Sequence, residues 1–322
     1  YDKALSINTG YAETIENALD LRNQISHTAL IKKEFEKKLK IDSVDSLEMP
    51  KFQIHQAISA FLTNDQKLVH QHLKNYNNCT PSSIAKLDSK DQVFCSAYNL
   101  FLQKLIEMPL MNEPTSLDNR TVFHLGESHC LSYAHRLIKI HGIDYNVAPR
   151  ITFGGKAFHF SRKKEDAFKA ITKANFDDLP EGSKVFVSFG EIDCRPSEGF
   201  ISAASKLNRP IENIIYDTVE GYVRWFAEQN QSKNHSLFFL NVPAPIYNEK
   251  YIDTVNEEVI NAIKLFNSLL QTTVSDYYFN IIDVYKFTVS HDGFSNGSFH
   301  ADRRHLSSTA ITEIEKQTGT FL

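Results

Sequence analysis

Short, continuously apolar runs that alternate with longer amphipathic segments are the feature that most constrains how this chain can fold. The runs cover residues 122–125, 184–189, 237–242 and 280–284, with a weaker one at 145–148. Between them, over 215–226 and 255–274, apolar residues recur at the helical spacings of three and four. Strands that are apolar along their whole length and separated by helices indicate a parallel sheet covered on both faces. We therefore predict a doubly wound, flavodoxin-like α/β domain with ligands outside the carboxyl ends of its strands.

The first third of the chain shows helical periodicity without such runs. Ile54, Ile58 and Phe61, for example, recur at spacings of three and four. Pro109, Pro114 and the polar stretch 115–119 then indicate a linker. The predicted organisation is a helical region over 1–115 followed by the α/β domain over 116–322.

The start of the helical region resembles the junction between two tetratricopeptide repeats. Residues 8–12 read Asn-Thr-Gly-Tyr-Ala, where such junctions have Asn-Pro-x-Tyr-Ala, so Thr9 replaces the usual proline. The same residues also fit ordinary helices. The resemblance implies that this region binds a protein partner, because repeats of this kind are interaction arrays.

Composition excludes several classes of function. Net charge is −4, and no basic block is dense enough to bind nucleic acid. No run reaches the roughly 18 apolar residues that a membrane span requires. The four cysteines form no Cys-x-x-Cys pair, so we expect neither a zinc site nor disulfides. Free thiols predict a reducing, cytoplasmic location.

Two motifs carry the chemistry. Gly126-Glu127-Ser128 follows the first apolar run and precedes a helix that we predict over 131–140, while Asp302 and His305 lie near the end of the chain. A serine at such a turn can use backbone N–H groups to stabilise an oxyanion, although it can equally serve as a helix N-cap. An Asp-x-x-His pair can orient the imidazole and leave Nε2 free to take the serine proton. Asp302 could also simply cap the last helix.

Together the motifs resemble those of the SGNH/GDSL hydrolase superfamily, over about residues 118–322. Its first block, Gly-Asp-Ser, corresponds to residues 126–128, its third block, Gly-x-Asn-Asp, to residues 190–193, and its last block, Asp-x-x-His, to residues 302–305. The resemblance implies that Ser128 is the nucleophile, His305 the base and Asp302 its orienting carboxylate. It also implies an oxyanion hole formed by the N–H groups of Ser128 and of Gly154 or Gly155.

This chain departs from the family pattern at two positions. Glu127 stands where aspartate is usual, which is chemically mild. Ile192 stands where the family has an asparagine that completes the oxyanion hole, and its alkyl side chain cannot donate a hydrogen bond. The substitute donor is expected to be Arg195, Lys156 or His129, with Arg195 favoured because it lies just beyond the third block.

The resemblance implies a serine-dependent esterase that cleaves O-acyl, above all O-acetyl, esters on a carbohydrate or glycan. No metal or organic cofactor is implied. Two alternatives stay open: an O-acyltransferase that uses the same triad, and a catalytically impaired module that binds a glycan or protein. Asp193 could contact substrate or form an ion pair with Arg195. The candidate substrate-binding residues are Glu127, His129, Lys156, Asp193 and Arg195.

Overall fold

The computed structural model describes residues 49–107 and 120–319. These residues divide into two compact units, one helical (49–107) and one α/β (120–319). The predicted boundary at residue 115 and the repeat-like start at 1–13 lie outside the described residues. No helix within the described ranges is long and apolar enough to cross a membrane.

The helical unit contains α1 (Met49–Leu62), α2 (Gln66–Asn77), α3 (Pro81–Ala85) and α4 (Ser89–Glu107). Asp65 begins α2 by accepting a hydrogen bond from the backbone N of Leu68 (3.0 Å), which satisfies a donor that the first turn leaves free. Residues at helical spacing are buried in each of the three longer helices, as the periodicity predicts; they include Ile54, Ile58, Val69, Leu73, Phe101 and Leu105.

The α/β unit begins with β1 (Thr121–Gly126), β2 (Leu137–Ile140) and β3 (Ile143–Ile151), followed by α5 (Ala157–Ser161) and α6 (Ala167–Asp177). Next come β4 (Lys184–Ser188), α7 (Phe200–Leu207), α8 (Ile211–Asn230) and β5 (Ser236–Leu240). The last elements are α9 (Asp253–Asp276), β6 (Asn280–Ile282), α10 (Val284–Thr288) and α11 (Ile311–Thr318).

The strands of this unit form one sheet in the order β2-β3-β1-β4-β5-β6. All neighbours are parallel except β2, which runs antiparallel to β3 at the edge. Without β2 the parallel strands have the flavodoxin-like order, in which the chain reverses its winding direction beside β1. The predicted doubly wound α/β fold is confirmed.

Apolar packing on both faces explains why the central strands are apolar throughout. In β4, Val185 and Val187 belong to the core cluster that includes Tyr222 and Phe226 of α8, whereas Phe186 belongs to the opposite cluster. Successive side chains of a strand point to opposite faces, so a strand with helices on both faces must be apolar at nearly every position.

The predicted helix over 131–140 is wrong. Residues 128–131 form a single 3₁₀ turn, and 137–140 form β2, which pairs with β3 through a two-residue loop. That loop is His141-Gly142, and both residues have positive φ (51° and 76°), as a type I′ hairpin turn requires. In β2 the buried residues Ile138 and Ile140 alternate with exposed Lys139, which is a strand period of two.

Candidate active site

Ser128 lies immediately beyond the carboxyl end of β1, in the middle of the sheet. Gly126 pairs with Ile151 of β3 and with Ser188 of β4, so all three strands end at the same level. Gly126 also permits this close approach, because a Cβ there would lie 2.3 Å from Ser188 Oγ. The chain then turns through Glu127 into the short 3₁₀ helix Ser128–Leu131.

The structure brings Ser128, His305 and Asp302 into one hydrogen-bonded chain. Ser128 Oγ lies 2.8 Å from His305 Nε2, and His305 Nδ1 lies 2.7 Å from Asp302 Oδ2. With its Nδ1–H donated to Asp302, a neutral His305 presents Nε2 as an acceptor toward the serine hydroxyl. This is the arrangement of nucleophile, base and orienting carboxylate that acyl transfer uses.

Asp302 also fixes the backbone of the loop that carries the histidine. Its Oδ1 accepts hydrogen bonds from the backbone N of Arg304 and of His305, both at 2.7 Å. Burial by itself would raise the pKa of Asp302, but the hydrogen bonds and the charge of His305 together with these N–H groups hold it far below the usual value. Asp302 is therefore an anion at neutral pH.

A second buried pair, Glu127 and His129, lies directly beside the nucleophile. His129 Nδ1 lies 2.6 Å from Glu127 Oε1, and His129 Nε2 lies 2.9 Å from the carbonyl oxygen of Arg304. Both ring nitrogens therefore face acceptors, which suits a doubly protonated imidazolium. Burial by itself would lower the pKa of His129, but the charge and hydrogen bond of Glu127 outweigh it and raise that pKa to about 9.

Glu127 also accepts a hydrogen bond from the hydroxyl of Ser128, with Oγ and Oε2 2.7 Å apart. The Ser128 hydroxyl carries one proton and has two acceptors, Glu127 Oε2 and His305 Nε2. Only the orientation toward His305 prepares the oxygen for attack. The positive charge of His129 offsets the negative charge of Glu127. This limits the repulsion that the carboxylate exerts on a developing oxyanion.

Two of the three predicted oxyanion donors have no hydrogen-bond acceptor within the described part of the protein. Among the described residues, the backbone N–H groups of Ser128 and Gly154 have no protein acceptor. The N–H of Gly155 instead donates to the carbonyl of Thr152 (3.0 Å) in the turn that follows β3. Gly154 has φ of +66°, a conformation that favours glycine at this turn.

Asp193 holds the segment that follows the glycines. Its carboxylate accepts hydrogen bonds from the backbone N of Ala157 (2.8 Å) and of Phe158 (3.1 Å), at the start of α5. The alternative ion pair between Asp193 and Arg195 is wrong, because the Asp193 side chain is buried against these backbone donors. Burial raises the pKa of Asp193 to about 6, against the lowering effect of the two N–H groups.

The candidate substitutes for the missing asparagine all have other partners. Ile192 is itself buried. Arg195 donates from Nε and Nη2 to Glu191 (2.9 and 2.6 Å), Lys156 Nζ donates to the carbonyl of Glu198 (2.7 Å), and His129 is engaged as described above. These contacts do not support Arg195 as the substitute donor.

A cavity of about 370 Å³ lies beyond this site, between the loops that follow β4 and β5 and the loop that precedes His305. Ser128 is not among its described lining residues. Glu191 lines it, and Glu191 also lines a small hollow of about 20 Å³ together with Glu127 and His129. Sequence reasoning missed most of the cavity residues, because they lie in irregular loops without periodicity; the cluster Pro243-Ala244-Pro245 was the available signal.

Metal-binding groups are absent from the described part of the chain. No cluster of three or more His, Cys, Asp or Glu side chains within 49–107 and 120–319 is placed to hold an ion. The four cysteines are free, and Cys130 and Cys194 are buried beside the site. Burial raises the pKa of both thiols, which makes them poor nucleophiles.

Comparison with known proteins finds only distant likenesses. No protein-family model matches the chain, and no curated protein matches it. Among solved structures, a candidate acylhydrolase from Bacteroides fragilis superposes with a TM-score of 0.42 and 16% identity, covering 67% of this chain and 90% of its own. A lipase/acylhydrolase from Enterococcus faecalis has a TM-score of 0.38 and 16% identity, covering 62% and 92%.

Phospholipase A1 from Streptomyces albidoflavus is similar over 62% of this chain and 99% of its own, with a TM-score of 0.37 and 10% identity. At TM-scores this low, the likenesses carry no conclusion about the chemistry of this chain.

Proposed function

We propose that this chain is a serine-dependent ester hydrolase of the SGNH/GDSL kind. One observation carries the proposal: the hydrogen-bonded chain from Ser128 Oγ through His305 to Asp302, at the carboxyl edge of the sheet. A binding module has no need of an activated serine, so the intact triad argues against a purely binding role.

In the proposed mechanism, Ser128 Oγ attacks the ester carbonyl carbon while its proton passes to His305 Nε2. The N–H groups of Ser128 and Gly154 stabilise the negative oxygen of the tetrahedral intermediate. The C–O bond to the alcohol then breaks, and the imidazolium of His305 protonates the departing oxygen. Asp302 stabilises that imidazolium and stays ionised throughout.

The resulting acyl-enzyme is resolved by reversal of the same steps. A water molecule gives a proton to His305 Nε2 as its oxygen attacks the acyl carbon, and collapse releases the carboxylic acid and returns the proton to Ser128. If a sugar hydroxyl attacks instead of water, the product is a new ester, so an O-acyltransferase uses the same residues.

The proposed substrates are O-acetyl esters on a carbohydrate or glycan, which follows from the family resemblance. No organic cofactor is needed for this chemistry. The proposed role of the helical unit is to bind a protein partner, and the proposed location is the cytoplasm, because the four cysteines are free thiols.

Hydrolysis of p-nitrophenyl acetate by the wild type, Ser128→Ala and His305→Ala tests the proposal. We expect both substitutions to reduce kcat to the same residual level, because members of a triad act as a unit. Lys206→Gln, on the exposed surface of α7, is the matched control and should behave as the wild type. Full activity in Ser128→Ala would remove the serine from the mechanism.

A further inference from the structure

The cavity beside the triad has the size of a small-ligand site. Its volume of about 370 Å³ lies in the lower part of the range of roughly 300–1,000 Å³ that is usual for such sites. Its walls include residues 194–197 after β4, residues 242–248, 250 and 251 after β5, and His300, Arg303 and Arg304 just before the base His305. It therefore opens at the edge of the sheet that carries the triad.

The lining of the cavity is strongly cationic. It contains Arg195, Lys250, Arg303 and Arg304, against the single carboxylate Glu191. Arg195 and Glu191 neutralise each other through a bidentate ion pair. Over the described ranges, no carboxylate lies within ion-pair distance of the other three cations. The cavity thus has an excess of three positive charges in a chain whose net charge is −4, and such a concave surface attracts anions.

One wall of the cavity is aromatic and held in place. Tyr247, whose surface is 43% exposed, packs edge-on against Phe294 with ring centroids 5.3 Å apart. Asn256 braces the loop behind it, since its side-chain amide donates to the carbonyl oxygens of Asn248 and Tyr251 and its Oδ1 accepts from the backbone N of Asn248. A fixed aromatic surface beside polar groups is suited to the face of a sugar ring.

The same loop connects the cations to the catalytic base. Arg303 and Arg304 lie between Asp302 and His305 in the chain, and the backbone N of Arg304 donates to Asp302. The carbonyl of Arg304 accepts the hydrogen bond of His129, beside Ser128. An anion bound to these arginines is therefore held by the loop that positions the triad.

We propose that this cavity is the subsite for an anionic sugar residue of the acylated substrate. Lys250, Arg303 and Arg304 bind the carboxylate, sulfate or phosphate of that residue, and Tyr247 packs against its ring. That the bound sugar belongs to an acylated substrate rests on the proposed ester hydrolysis. The binding of the anionic sugar itself does not, and it can be tested separately.

The kinetic test compares two matched substrates, acetylated methyl glucuronoside and acetylated methyl glucoside. We expect kcat/KM to favour the anionic substrate by about tenfold at low salt, and the preference to shrink as salt screens the cations. Lys250→Gln/Arg303→Gln should lower the ratio of the two kcat/KM values by up to about tenfold, since each of these exposed charges is worth up to roughly fivefold. The control Lys206→Gln should keep the wild-type ratio. An equal preference in the double variant and the wild type would overturn the proposal.

A binding measurement separates this proposal from the proposed catalysis. Ser128→Ala cannot turn substrate over, so titration with methyl glucuronoside, glucose 6-phosphate and methyl glucoside, followed by NMR, reports the subsite alone. We expect at least one of the two anionic sugars to bind at least tenfold more tightly than methyl glucoside, and the double variant in the same background to lose that difference. If binding is selective but the wild type hydrolyses no ester, the subsite stands and the hydrolase proposal falls. If the anionic and neutral sugars bind equally, or none binds, the subsite is refuted whatever the activity.

Discussion

Removal of the positive charge at His129 should cost the α/β unit about 3 kcal/mol. Glu127 is 1% exposed and His129 7% exposed, and their side chains lie 2.6 Å apart. The pKa of His129 is about 9 against 6.5 for an ordinary histidine, and each pKa unit corresponds to about 1.4 kcal/mol. The result agrees with the roughly 3–5 kcal/mol that is typical when one partner of a buried ion pair is removed.

The pH dependence of that loss follows from the two pKa values. The pKa of His129 is raised on folding, so its contribution is complete below pH 6.5 and is lost as the pH rises through about 9. Burial opposes the ionisation of Glu127, but His129 and the hydrogen bond from Ser128 lower its pKa to about 2. Its contribution is complete above pH 4.5 and is lost toward pH 2. The two contributions come from one ion pair, between Glu127 and His129. That ion pair therefore stabilises the fold most between about pH 4.5 and 6.5.

Urea unfolding of His129→Gln and wild type at pH 5.5 and 9.5 tests this reasoning. Trp225 is the only tryptophan and lies in the core of the α/β unit, so its fluorescence reports that unit. We expect the variant to lose about 3 kcal/mol at pH 5.5 and less than about 1 kcal/mol at pH 9.5.

His300→Gln is the matched control for this experiment. Burial lowers the pKa of His300 to about 4, so at pH 5.5 the unfolded chain binds a proton there that the folded protein does not. Its substitution should therefore cost about 1 kcal/mol less at pH 5.5 than at pH 9.5, a pH dependence of the opposite sign to that of His129→Gln. A cost for His129→Gln that is below 1 kcal/mol at pH 5.5, or that does not change with pH, would refute the charged pair.

Two further substitutions test the oxyanion hole. Ile192→Asn should raise kcat/KM for p-nitrophenyl acetate by up to about tenfold, because Arg195 already donates to Glu191 and the oxyanion hole lacks a third donor. An unchanged or lower kcat/KM would show that another group already supplies this third donor. Asp193→Ala leaves the N–H groups of Ala157 and Phe158 without their acceptor, so thermal unfolding should show a loss of about 1–3 kcal/mol, and kcat should fall more than KM changes. Wild-type stability in Asp193→Ala would contradict that account.

The sheet could be predicted from the sequence where burial on both faces makes a strand apolar throughout. Four runs, at 122–125, 184–189, 237–242 and 280–284, correspond to β1, β4, β5 and β6. The edge hairpin of β2 and β3 was predicted only in part, because Leu137–Ile140 is short and half-exposed. Its four residues fit a helix or a strand until the turn at His141 is known to have positive φ.

The convergence of Ser128 with His305 could be predicted because parallel strands place their carboxyl ends at one edge of the sheet. The hydrogen-bond and ion-pair partners of side chains within each motif were harder to predict. Arg195 pairs with Glu191, four residues earlier and on the same face of the turn, rather than with Asp193. The reach of Glu127 to the Ser128 hydroxyl depends on backbone angles that the sequence does not reveal.

Reaction with a fluorophosphonate probe tests the central claim most directly, because the probe modifies only a serine activated by a neighbouring base. Intact-mass analysis followed by peptide mapping should find one adduct per chain, located on Ser128. Labelling should be absent in Ser128→Ala, strongly reduced in His305→Ala and unchanged in Lys206→Gln. An unlabelled wild type, or an adduct that persists in Ser128→Ala, would contradict the assignment of Ser128 as the nucleophile.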